Sequence, residues 1–106
     1  MRNLLIAAIA ISSTPASAEF FDGNELHQFC QMRGTELATD ALLGGYVAGI
    51  AGYAEAAGGR ICAPRNSNVM QATDVFCGYL DSNPASRHLP AASLAEAALS
   101  EAWPCP

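Results

Sequence analysis

The sequence predicts an all-α fold: a compact four-helix domain stapled by two disulfides and preceded by an N-terminal signal peptide. Three observations carry this reading. Apolar residues recur at helical spacing in four stretches punctuated by glycine and proline. No window between turn signals sustains the alternation of a strand. Four cysteines follow an export leader, in a chain too short to build a large core.

The leader comes first in the chain. Arg2 supplies its positive start, Leu4 to Ile11 an unbroken apolar run, and Ala16-Ser17-Ala18 a small-residue cleavage site. That run is far shorter than the ~20 residues a membrane span needs. Removing residues 1–18 of the 106 leaves a single domain over residues 19–106. A domain of this size buries only roughly 60–65% of its unfolded surface, so covalent staples are expected.

The first helix is predicted from about Asn24 to Met32, with Leu26, Phe29 and Cys30 on one face and Asn24 as its cap; Gly34 ends it. The second runs from about Asp40 to Ala57 and places Leu43, Tyr46, Val47, Ile50 and Ala54 together. Gly44, Gly45, Gly49 and Gly52 each cost up to ~1 kcal/mol of helix propensity, which close approach by neighbouring helices would offset. This helix is therefore expected to be central. Gly58-Gly59 stops it, and a connection from Arg60 to Arg65 carries Cys62 and Pro64. The third helix is expected to begin at Asn66 or Ser67 and run to about Ser82, with Val69, Thr73, Phe76, Cys77 and Leu80 inward. Asn83-Pro84 breaks it. The last starts with Pro90 at a first helical position and carries Leu94, Ala97, Ala98 and Trp103 before Pro104.

Charge narrows the function. Without the leader the chain has four arginines, no lysine and ten acids, a net charge of −6. That balance cannot build the cationic footprint nucleic acid requires, nor one for anionic lipid heads. After signal cleavage no membrane contact is expected, and the partner is expected to be a protein.

The residues that could carry chemistry point away from it. Four cysteines in an exported chain read as a disulfide framework with three possible connectivities, and their spacing contains no Cys-x-x-Cys. His27 and Cys30 share a helix face, but a second pair of metal ligands is missing, so no metal and no cofactor are expected. No nucleophile-elbow motif accompanies His27 or His88, and oxidised cysteines cannot act as nucleophiles, so no catalytic residue is assigned. Tyr46, Tyr53 and Tyr79 are read as half-buried packing with hydroxyls at the surface.

From Gly23 to Cys105 the chain resembles the Rap/Tai family of type VI secretion immunity proteins. The resemblance rests on GYVAGI (Gly45 to Ile50), Cys62-Ala63-Pro64, Gln71, Tyr79-Leu80, Asn83-Pro84, Arg87, Pro90-Ala91, Leu94, Ala97-Ala98-Leu99 and Trp103-Pro104-Cys105, in that order. Family members carry a cysteine where this chain has Gly44 and an aliphatic residue where it has Cys77, so one cysteine has moved from the second helix to the third. Alanine also replaces the family's leucine before Pro64.

The resemblance implies a non-catalytic periplasmic protein, working as a homodimer, that binds and blocks a secreted cell-wall amidase effector. The alternative is a periplasmic acid-stress chaperone of the HdeA type, a class that is lysine-rich and needs only one disulfide. An amidase cleft can be filled by a projecting loop, and two are available. One holds Gly58, Gly59 and Arg60; the other holds Asn83, Pro84, Arg87 and His88 and is favoured because it offers Arg87 and His88 as anchors on a proline-stiffened segment. The displaced cysteine, together with the inward placement of Cys30 and Cys77, leads to the pairs Cys30–Cys77 and Cys62–Cys105. The second pair would tie the C-terminus to the middle of the chain.

Cleavage is expected after Ala18, so N-terminal sequencing of exported protein should begin at Glu19. An intact Met1 in periplasmic material would refute this.

Overall fold

The computed structural model describes residues 20–106; the expected leader and its cleavage site lie outside the described residues. Four helices follow in order: α1 (Gly23–Gln31), α2 (Leu37–Ala56), α3 (Val69–Ser82) and α4 (Ala91–Ala102), with a 3-10 turn at Pro84–Ser86. The described residues contain no strand, only two isolated backbone bridges, Asp22 with Pro90 and Ile61 with Pro104.

The helices start where capping boxes can close. Asp22, not Asn24, caps α1: its carboxylate accepts from the Glu25 amide at 2.8 Å, and Glu25 reaches back to the Asp22 amide. Asn68, not Asn66 or Ser67, caps α3 in the same way with Gln71. The reason lies three residues on. The box needs Glu or Gln there, and Asn24, Asn66 and Ser67 would meet His27, Val69 and Met70 instead. Ser67 closes a turn onto the Pro64 carbonyl. Helix α2 begins a turn earlier than Asp40, whose carboxylate instead accepts the Gly34 amide at 3.0 Å and fixes the turn leaving α1. Gly34 and Gly58 take positive φ values of 83° and 70°, the left-handed backbone that ends a helix and favours glycine. Pro90 is the cap of α4 rather than its first residue.

Leu26, Leu43, Val47, Phe76, Leu80 and Leu99 form the fully buried centre. Helix α2 packs on all three other helices, as a central helix should. Its glycines are not all contacts, however. A Cβ on Gly44 would lie 3.3 Å from Val69, whereas one on Gly45, Gly49 or Gly52 would meet nothing within 4 Å. Those three leave one face of α2 open. Val69, expected inside, is 48% exposed, and Ile61, expected to be mere connection, is buried and makes a backbone bridge with Pro104.

Helices α1 and α3 run antiparallel and are joined along one seam. His27 Nε2 lies 2.8 Å from an Asp81 carboxylate oxygen, Cys30 is bonded to Cys77, and Arg33 pairs with Asp74. The second disulfide, Cys62–Cys105, holds the chain end, and the Cys62 amide donates to the Trp103 carbonyl at 2.9 Å. Trp103 itself is half-buried against the core.

Replacing Cys30 and Cys77 together by alanine opens a loop of 47 residues, for which chain entropy gives a loss of about 4 kcal/mol. Urea unfolding followed by circular dichroism should show the midpoint fall accordingly. An unchanged midpoint would contradict this assignment of the stability.

Candidate partner-binding surface

The loop between α3 and α4 is fastened on both flanks. The last carbonyls of a helix lack partners inside it. Here Arg87 supplies them: Nε donates to the Leu80 carbonyl at 2.7 Å and Nη2 to that of Asp81 at 3.2 Å. The Asn83 side-chain amide donates to the Tyr79 carbonyl at 2.8 Å. On the other flank, the Asn24 amide donates to the Arg87 carbonyl at 2.8 Å, and the Gly23 amide to that of Leu89 at 3.0 Å. The Ala91 amide donates to Phe21 at 2.9 Å. The start of α1 is thus the seat of the loop. That seat requires glycine, because a Cβ on Gly23 would lie 2.6 Å from the Arg87 carbonyl oxygen.

This geometry separates the residues that the sequence grouped together. Arg87 is half-buried and its guanidinium is turned back onto α3, so it holds the loop rather than projecting from it. Pro84 and His88 are exposed on the outer side, with Leu89 beside them at 41% exposure.

The Gly58-Gly59-Arg60 turn has different neighbours. Gly58 and Gly59 close the end of α2 through amides donating to the Glu55 and Ala54 carbonyls, and a Cβ on Gly59 would lie 2.6 Å from the latter oxygen. Arg60 is exposed beside α4, where it borders an open hollow of about 470 Å³ with Ser93, Glu96, Ser100 and Glu101. No hydrogen bond joins the two loops among the described residues.

The remaining sequence candidates are occupied. His27 is engaged with Asp81, and all four cysteines are in disulfides. Tyr46 and Tyr79 are half-buried, but Tyr53 is 76% exposed, because it lies one turn after Gly49 on the open face of α2. Sequence reasoning missed a cleft of about 520 Å³ between the starts of α2 and α3, lined by Leu37, Ala41, Gly44, Val69 and Met70. It was hidden because Leu37 was placed outside a helix and Val69 inside the core. No helix of the described residues is long and apolar enough to cross a membrane.

The described residues form a small helical domain cross-linked by two disulfides, with the α3–α4 loop fastened to α1 and α3. The family model for Rap1a immunity proteins matches residues 22–105, and the chain belongs to this family. It is therefore an immunity protein directed against a secreted effector, in a family that is generally non-catalytic. No curated protein and no solved structure matched the chain in the comparisons.

Because charge-assisted hydrogen bonds contribute about 1.5–3 kcal/mol, Arg87→Ala should lower the unfolding free energy by about 2 kcal/mol. Thermal unfolding checks this, and Arg87→Lys should recover only part of the loss, since one ammonium cannot span two carbonyls as the guanidinium fork does.

Proposed function

We propose that the chain is exported to the periplasm and neutralises a peptidoglycan amidase effector of a type VI secretion system by filling its substrate cleft with the α3–α4 loop. The observation that carries this reading is the loop's fastening. Residues 83–90 are tied to α3 through Arg87 and to α1 through Gly23 and Asn24, while Pro84, His88 and Leu89 face outward. A segment already ordered before binding loses little entropy on docking. Membership in the immunity family supplies the kind of partner, and the two disulfides suit an oxidising compartment. The inhibitor works by occlusion, with no chemistry of its own.

Two further properties belong to the same proposal. The chain acts as a homodimer, for which the open face of α2 offers Leu42, Gly45, Gly49 and Tyr53 as an apolar contact area. Its surplus of acids draws it toward a basic border around the amidase cleft, as suits an enzyme working on an anionic polymer.

Adding the protein to a purified peptidoglycan amidase effector should abolish its release of wall peptides at one equivalent. His88→Ala combined with Leu89→Ala should weaken this inhibition without lowering the melting temperature. Association should also slow with salt, because the Debye length falls from ~10 Å at 0.1 M to ~3 Å at 1 M. Full inhibition by the double variant would remove the loop from the mechanism.

A further inference from the structure

The residues just before α1 have a place on this surface that the loop alone does not reveal. Asp22 bridges to Pro90, and the Phe21 carbonyl accepts the Ala91 amide, so residues 20–22 lie alongside the downstream end of the α3–α4 loop. Asp22 is extended, and the two rings before it have different surroundings. Phe21 points inward: its ring meets those of Phe29 and Tyr46 edge-on, with centroids 6.1 and 5.7 Å away. Phe20 points outward and is 86% exposed, more than any other large apolar side chain among the described residues. Phe21, half-buried and paired through its carbonyl with the Ala91 amide, therefore anchors the backbone next to Phe20 at the downstream end of the loop.

We propose that Phe20 is an anchor for the effector. With His88, Leu89 and Pro90 it forms one ridge, bordered by the carboxylates of Asp22 and Glu25, that seats in a cleft with an apolar floor and a basic rim. This rests on the occlusion reading above and adds to it a specificity-determining residue outside the loop. Three features favour this occupant. The ridge is continuous with the rigid loop through backbone hydrogen bonds. Its acidic border repels an anionic bilayer but complements a basic protein rim. Phe20 adjoins the anchored Phe21, and aromatic residues, phenylalanine included, are enriched at interfaces.

The test compares the wild-type protein, Phe20→Ser, Phe20→Trp and His88→Ala for affinity to a purified peptidoglycan amidase effector, by calorimetry. Phe20→Ser should bind about thirtyfold more weakly, the loss of a typical hot-spot residue, with melting temperature and molar mass unchanged. Phe20→Trp should retain most of the affinity. Unchanged affinity for Phe20→Ser while His88→Ala binds more weakly overturns the role of Phe20 and leaves occlusion standing. A wild-type protein that does not bind the amidase overturns the occlusion reading and this inference with it. Conversion from dimer to monomer in Phe20→Ser, seen by light scattering, would assign the ring to a second copy instead and also overturn it.

Discussion

The seam between α1 and α3 is the constraint on which the rest of the molecule depends. Cys30–Cys77 lies at its middle, one turn from His27–Asp81 on one side and from Arg33–Asp74 on the other. The three links are not equal. Asp81 and Asp74 are 70% and 65% exposed, and exposed ion pairs contribute about 0–1 kcal/mol after side-chain entropy and screening. The disulfide, closing a far longer loop of chain, accounts for about 4 kcal/mol by the entropy model. The covalent bond therefore keeps the two together, and the side-chain contacts of His27 with Asp81 and of Arg33 with Asp74 add little to it.

What the seam positions is the surface loop. Its two seats are the first turn of α1 and the last turn of α3, contacted by the Arg87 carbonyl and the Arg87 guanidinium respectively. Arg87 spans the two helices that Cys30–Cys77 locks together, so a shift of α1 along α3 would break one set of bonds or the other. The second disulfide plays a separate part. It fixes the C-terminal segment onto Ile61 and Cys62, and so holds Trp103 against the core at the end of α4 away from the loop.

The helices were legible in the sequence because their apolar spacing is regular and Gly34, Gly58 and Asn83-Pro84 interrupt it plainly. The cysteine pairing was legible because Cys30 and Cys77 fall on inward stripes. Helix starts were less so, since Asp22, Asn24, Asn66, Ser67 and Asn68 are all good caps in isolation, and only the residue three positions later separates them. The glycines of α2 misled for a different reason. Gly44 does face α3, but a helix apolar on every side gives no sign of which side the fold covers, and Gly45, Gly49 and Gly52 turned out to face away. Within the loop, sequence gave position without direction. Arg87 and His88 are adjacent, yet one turns to the backbone of α3 and the other to solvent.

The use of arginine ties these points to recognition. Arg33 is paired with Asp74 and Arg87 is committed to carbonyl groups, so two of the arginines of the described residues serve the seam and the loop. Among the acids, Asp22 and Glu25 cap α1 and Asp40 holds the turn at Gly34. Glu36, Glu55, Glu96 and Glu101 are exposed on α2, its approach and α4, with no ion pair among the described residues. These charges are spread over several elements, and at that separation salt screens them strongly. They supply an approach that is general in direction, and they cannot fix a docking register. In the proposed complex, register would come from the junction of the α1 approach with the α3–α4 loop, where Leu89 is exposed and the backbone is tied to α1. In the proposed complex the acidic surface and the ridge would divide the work, one governing encounter and the other the fit.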